Sequence, residues 1–233
     1  MIYFQDDLVT LYHGNSLEIM AGLDSESIDA VITDPPYSER THGNAKSNKG
    51  KGHGNSTIDF QSFTEAELLS AFEEMGRLTK SWVVATLDYN HAFKFETEPP
   101  TGLVQKRIGV WVKTNPMPQI SADRPAQGWE AIAYLHRADK KSSWNGGGSA
   151  GNYISSLASP TGHPTPKPLQ MVSSFVDRFS KHGDLILDPF AGGGTTLLAA
   201  RNLGRHVIGV EIDEQYCELI AKRLQQQAFD FGE

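Results

Sequence analysis

The sequence predicts an α/β fold, a doubly wound and mostly parallel sheet carrying a small loop-rich insertion. Three observations predict it. Short, near-continuous apolar runs at Ile28–Thr33, Trp82–Leu87, Leu185–Leu187 and Val207–Val210 have the pattern of parallel strands covered on both faces. Segments of helical periodicity lie between several of them, and strands alternating with helices imply parallel crossover units. With 233 residues and 39% hydrophobic content, the chain holds enough apolar material for one sizeable core and one domain with an insertion.

The elements follow in order. Leu8–Tyr12 alternates loosely and reads as a strand, ended by His13-Gly14-Asn15. Ser16 reads as the cap of a short helix running to Gly22. Past the strand Ile28–Thr33, residues 38–57 are rich in Gly, Lys, Asn, Ser and His and almost free of apolar side chains. Such a stretch in a compact domain is usually functional or disordered. Thr64 and Glu67 form a capping box ahead of Leu68, Leu69, Phe72 and Met75, which predicts a helix leading into the strand at Trp82. Gln105–Lys113 and Trp129–Leu135 are two further strands, and the prolines of Thr114-Asn115-Pro116-Met117-Pro118 exclude regular structure between them. Residues 139–161 hold Gly146-Gly147-Gly148 and many serines and read as the insertion. Leu169, Val172, Phe175, Val176 and Phe179 give residues 168–182 a helical period. Strand Leu185–Leu187, helix Thr195–Leu203 and strand Val207–Val210 come next, and Asp213 caps a last helix to Gln227.

Composition narrows the function classes. No run approaches the ~20 apolar residues of a membrane span, and Met1–Asp7 lacks the basic and apolar regions of a signal peptide. Cys217 is the only cysteine, so no intramolecular disulfide forms and a reducing cytoplasm fits. The eight histidines, His42 and His53 among them, show no ligand spacing, and no metal is expected. A net charge of −7 counts against indiscriminate nucleic-acid binding. Its distribution is uneven, however. Arg40, Lys46, Lys49 and Lys51 face only Glu39 within residues 38–57, a net +3, and residues 105–141 carry seven basic against three acidic residues, a net +4. A basic face on an acidic protein and an ordinary solvated surface both agree with this.

Two motifs carry chemistry. In the first, Asp188-Pro189-Phe190-Ala191-Gly192-Gly193-Gly194 joins a strand to a helix, and Glu211 ends the next strand 19 residues past Gly192. Glycines let the backbone approach a ligand at a strand's carboxyl end, and an acid about 20 residues on is where a ribose diol is held. The dinucleotide fingerprint fails, because Leu197 stands where its third glycine belongs. Asp188 would repel a pyrophosphate and suits a cation. S-adenosyl-L-methionine, with its sulfonium and ammonium, meets that requirement.

The second motif is Asp34-Pro35-Pro36-Tyr37, directly behind the apolar strand Ile28–Thr33. A carboxylate, two residues without backbone N–H and an aromatic ring at a strand end can hold a planar amine. The ring stacks on a base, while the carboxylate and the Pro35 carbonyl accept hydrogens from an exocyclic NH₂. Such an amine is a poor nucleophile because its lone pair is delocalised into the ring. Two acceptors favour its tetrahedral geometry and offset the positive charge that develops on attack. Asp34 need not remove a proton early, since the nitrogen becomes acidic only after methylation.

With both motifs present, the chain resembles the amino-group DNA methyltransferases, whose signature includes Asp-Pro-Pro-Tyr. The catalytic motif precedes the cofactor turn Leu187–Thr196, a permutation similar to the β class. Gly14-Asn15-Ser16-Leu17-Glu18 resembles the segment holding the cofactor's adenine. His163-Pro164-Thr165-Pro166-Lys167-Pro168 resembles the motif preceding the cofactor turn, and Trp111–Pro116 the strand leading to target recognition. Asn15 stands where many relatives have aspartate and can hydrogen-bond adenine without charge.

The resemblance implies the S-adenosylmethionine-dependent methyltransferase fold and one domain, with a catalytic half 1–138, a short target-recognition insertion about 139–161 and a cofactor half 162–233. It implies methyl transfer to adenine N6 of a base flipped from double-stranded DNA. Aspartate at position 34 tilts the choice to adenine over cytosine N4, where serine is commoner. The same chemistry on RNA or a protein glutamine, and a silent binding protein of the same fold, are the other readings. Asp34, Pro35, Pro36 and Tyr37 are the implied catalytic group, Tyr37 stacking on the extruded ring. Asn15, Asp34, Thr165, Lys167, Asp188, Phe190, Ala191, Gly192, Gly194, Thr195, Glu211 and Ile212 are the implied cofactor residues. Arg40, Lys46, Lys49 and Lys51 would close on DNA phosphates. So short a recognition region leaves room for a homodimer to complete the grip. The expected setting is a bacterial or phage-type cytoplasm, associated with DNA.

Overall fold

The computed structural model describes residues 1–36, 63–119, 123–158 and 166–230. Among these residues, nine strands form one sheet: β1 (Ile2–Gln5), β2 (Val9–His13), β3 (Ile28–Thr33), β4 (Thr79–Leu87), β5 (Leu103–Lys113), β6 (Trp129–Arg137), β7 (Tyr153–Ser155), β8 (Leu185–Asp188) and β9 (His206–Glu211), in the spatial order β1-β2-β9-β8-β3-β4-β6-β5-β7. The five strands from β2 to β4 run parallel, β6 enters antiparallel between β4 and β5, and β1 pairs antiparallel on the far edge. The helices are α1 (Ser16–Ala21), α2 (Glu65–Leu78), α3 (Tyr89–Thr97), α4 (Leu169–Phe179), α5 (Thr195–Asn202) and α6 (Glu214–Asp230).

The apolar runs are continuous because helices cover both faces. Successive strand residues point to opposite layers. Val31, Val83 and Leu187 pack with Met20 of α1, Phe72 and Met75 of α2 and Phe95 of α3. Their chain neighbours Ile32, Val84 and Ile186 pack with Phe175 and Val176 of α4, Leu197 of α5 and Ile220 of α6. Each large buried side chain in either layer contributes ~1.5–3 kcal/mol relative to exposure.

Connectivity fixes where a ligand can sit. From β3 the chain crosses through α2 to β4 on one side, and from β8 it crosses through α5 to β9 on the other. The carboxyl ends of β3 and β8 therefore flank the point where the winding reverses, which is where open α/β sheets form their binding crevice.

The capping box of α2 is present, with Glu67 N bonded to Thr64 Oγ1 at 3.2 Å and Thr64 N to Glu67 Oε2 at 2.8 Å. Asp213 caps α6 by accepting from Gln215 N at 2.8 Å. At α1 the cap is Asn15 rather than Ser16: its Oδ1 accepts from Leu17 N at 2.9 Å and Glu18 N at 3.3 Å, and Ser16 is the first helical residue. The insertion is strapped to the sheet. Trp82 Nε1 donates to Ser143 O at 2.7 Å, Tyr134 OH to Gly151 O at 2.7 Å, and β7 pairs with β5. A Cβ at Gly109 would lie 2.2 Å from Gly151 O, so glycine there lets the insertion seat.

Candidate active site at the β3–β8 crevice

Asp188, the last residue of β8, is 2% exposed. Its Oδ1 accepts from Thr33 Oγ1 at 2.7 Å and from Phe190 N at 3.1 Å, and Thr196 adds a side-chain hydrogen bond. Burial pushes its carboxyl pKa up to about 6 against those three donors, and the nearby Asp34 charge pushes the same way. Among the described residues no lysine or arginine is paired with Asp188. A buried carboxylate met only by neutral donors fits a cationic ligand, as the ammonium of S-adenosyl-L-methionine is.

The turn behind it is shaped by glycine. Gly192 has φ 51° and Gly194 φ 76°, both in the left-handed region, and a Cβ at Gly194 would stand 2.8 Å from the Ile220 side chain. Ala191 N bonds Val210 O at 2.9 Å, Gly194 N bonds Ala191 O at 2.7 Å, and Arg223 donates to Gly193 O. Gly194 caps α5 without a side-chain bond, and Thr195 begins the helix, buried.

Glu211 is 8% exposed and holds the turn in place, accepting from Gly192 N at 2.8 Å and from Asp213 N at 2.9 Å. Burial raises its pKa, and the backbone N–H groups oppose the rise. A carboxylate offers about four acceptor positions; a third backbone N–H, from Ile212, also bonds Glu211, which leaves about one for a ribose hydroxyl. Asn15 lies beside it: Gly14 N bonds Glu211 O at 2.9 Å, and His13 Nε2 lies 3.1 Å from the carbonyl of the exposed Ile212. Asn15 thus has a capping task as well as its expected adenine contact. Phe190 is half-buried and meets Phe63 edge-on, with centroids 5.3 Å apart.

Asp34 leaves β3 next to Thr33, so the Asp34-Pro35-Pro36 corner opens on the same sheet edge as the turn. Pro35 is buried and Pro36 half-buried behind it. Thr86 Oγ1 of β4 donates to Asp34 Oδ1, and Lys167 Nζ donates to Oδ2 at 2.5 Å. Lys167 also lies 3.4 Å from Glu130 Oε2, and Lys113 bonds Glu130 Oε1 at 2.6 Å. Burial lowers the Lys167 pKa, but the two carboxylates more than offset it and the net direction is up.

Sequence reading places Lys167 on the cofactor; the structure pairs it with Asp34. Tyr37, Thr165, Arg40, Lys46, Lys49 and Lys51 lie outside the described residues. Thr33, Thr86 and Glu130 carry no motif, and neither they nor Lys113, which lies in the Trp111–Pro116 segment, are marked by the sequence as site residues. The available signal is a polar side chain at the end of each buried strand, on the edge where Asp34 and Asp188 sit.

A family profile described as DNA methylase matches residues 28–223. The chain belongs to the N6/N4 DNA methylase family. The methylase is 26% identical to Type II methyltransferase M2.DpnII of Streptococcus pneumoniae, over 97% of this chain and 92% of that protein. It is likewise 26% identical to Type II methyltransferase M.HinfI of Haemophilus influenzae, over 95% of this chain and 69% of the relative. Among solved structures, the M1.HpyAVI–SAM complex superposes with a TM-score of 0.69 at 26% identity, covering 93% of the methylase and 100% of that chain. The cytosine-N4-specific PvuII DNA methyltransferase reaches a TM-score of 0.74 at 18% identity, covering 95% and 88% of the two chains, a likeness of fold.

Proposed function

We infer that this methylase transfers a methyl group from S-adenosyl-L-methionine to N6 of an adenine extruded from a specific site in double-stranded DNA. The observation that carries the reading is the Thr33–Asp188 hydrogen bond, which brings the residue before Asp34 against the start of the glycine turn. The donor supplies a methyl group made electrophilic by its sulfonium. Asp188 would hold its ammonium, Glu211 its ribose and Asn15 its adenine.

Asp34 and the Pro35 carbonyl would each accept one N–H of the target amine. This draws the nitrogen towards tetrahedral geometry and turns its lone pair to the methyl carbon. A C–S bond breaks as the N–C bond forms, and the methylated nitrogen then loses its proton to water. Asp34, paired with Lys167, serves as an acceptor of hydrogen bonds and not as an early base. The amine of a paired base faces its partner, so the base leaves the stack before reacting. Reading of the target by residues 139–161, phosphate contacts from residues 38–57 and a second copy of the chain on the duplex belong to the same proposal.

The test is incubation with methyl-labelled cofactor and mixed-sequence duplex DNA, followed by digestion to nucleosides. Label in N6-methyldeoxyadenosine, lost in Asp34→Ala, supports the reading. Label in N4-methyldeoxycytidine would move the target base. Cofactor binding without transfer to any nucleic acid would make the protein a silent binder.

A further inference from the structure

Asp34 ends a line of alternating charge that runs from β5 across β6 towards β3. Lys113 closes β5, Glu130 stands second in β6, and Asp34 follows β3. Because β6 runs antiparallel between β4 and β5, its first residues meet the last residues of both neighbours: Glu130 pairs with Trp111 in register and Ile132 with Thr86. Lys167, two residues ahead of α4, places its ammonium between Asp34 and Glu130. The side chains of Lys167, Lys113 and Glu130 keep only 11%, 14% and 18% of their exposure, against 31% for Asp34. Surface ion pairs contribute little; these are mostly withdrawn from water, where removal of one member leaves the next uncompensated.

We propose that Glu130, steadied by Lys113, is a positioning residue that fixes Lys167 and, through it, aims the Asp34 carboxylate at the target amine. The proposal deepens the methyl-transfer reading and rests on it. A lysine side chain is flexible, with three rotatable donors, and contact with Asp34 alone would not fix its direction. Glu130 supplies the second anchor and Lys113 holds Glu130. Thr86 grips the other Asp34 oxygen, so the carboxylate is clamped from two sides. Within this line each carboxylate has an ammonium beside it, Lys167 for Asp34 and Lys113 for Glu130. The charged or titratable groups facing Asp34 include Lys167 ahead of α4 and Asp188 of β8, with Glu130 and Lys113 one step removed.

The test uses full-length Glu130→Gln, Lys167→Met and Lys167→Arg, with methyl transfer to duplex DNA followed across pH at saturating cofactor. Saturation removes the contribution of Asp188 and Glu211 to cofactor binding. Glu130→Gln should lower kcat roughly 10- to 100-fold, as slight misplacement of a reacting group does, with the KM for cofactor unchanged. It deletes a negative charge near Asp34, so the acidic limb of kcat should move to lower pH. Lys167→Met deletes the positive charge and leaves Glu130 facing Asp34, so its acidic limb should move to higher pH. Lys167→Arg should recover part of the loss. Opposite displacements of the two limbs are an outcome that general loosening of the fold does not produce. An active wild type beside a Glu130→Gln variant of equal kcat and pH profile would overturn the positioning role and leave the methyl-transfer reading standing. Limbs that move in the same direction would also overturn it, and a wild type that labels no DNA would overturn both readings.

Discussion

Thr33 and Asp188 lie 155 residues apart and share a buried 2.7 Å hydrogen bond in which the threonine donates. The bond closes the gap between β3 and β8 beyond their last register pair, Val31 with Leu187. It also puts a neutral donor on a carboxylate that burial disfavours as an anion.

Asp188→Asn should make the apo protein more stable and the cofactor weaker. The folded pKa of Asp188, about 6, lies above the ordinary carboxyl value of 3.8, so the native state binds this proton more tightly than the unfolded chain. Its contribution to stability therefore falls as pH rises from about 4 to about 6 and stays level above. The buried charge costs on the order of 1–3 kcal/mol at a pH of about 7.5. Urea denaturation should show the variant ahead by that order at about pH 7.5 and level with wild type near pH 4. Titration with S-adenosyl-L-methionine should show affinity lost in the variant, and in wild type as pH drops through about 6. Equal stability at both pH values would remove the buried-charge account.

Glu211→Gln keeps one acceptor oxygen where the carboxylate has two, both engaged with the turn. Loss of a charge-assisted bond should weaken cofactor binding by about 1–3 kcal/mol. Calorimetric titration with the cofactor reads this directly, and an unaltered Kd would exclude Glu211 from the ribose.

Gly194→Ala meets two obstacles, a left-handed φ of 76° and the Ile220 side chain 2.8 Å from the new methyl group. The backbone strain costs about 1–2 kcal/mol, and the clash adds to it. Ile220→Ala in the same chain removes the clash and leaves the strain. A double-mutant cycle should therefore show the pair less destabilised than the sum of its members. Strict additivity would mean that the helix shifts to accept the methyl group.

Arg40, Lys46, Lys49 and Lys51 are expected on DNA phosphates. Replacing the three lysines with glutamine should flatten the dependence of log K on log salt by about 0.9 for each phosphate no longer neutralised. Equilibrium binding to one duplex at several salt concentrations measures it, and an unchanged slope would take the segment off the backbone of the DNA.

The central strands and the glycine turn at residues 188–194 are legible in the chain. Near-continuous apolar runs announce the strands, and glycines with a distant acid announce the turn. What stays hidden depends on neighbours. β1 has an exposed-to-intermediate pattern and exists because β2 offers an edge. α3 buries only Ala92 and Phe95, too few for a periodic signal. β7 is three residues long and forms where β5 accepts it. Glu130 reads as one acid in a charge count, because nothing local says that an antiparallel strand will carry it to Lys167.

The strand order has a consequence for biogenesis. β2 and β3 follow one another in the chain, yet β9 and β8 stand between them in the sheet. During synthesis β8 and β9 are made after the strands on either side of them, β2 and β3, and must wedge between those earlier strands. Such long-range pairing is slow. Until the wedge is home, Asp34 stands without Asp188 and the candidate site is incomplete. A ligand that binds only the closed sheet pulls the equilibrium towards it. The methyl donor is in this sense also a clasp, rewarding the final insertion that completes the enzyme.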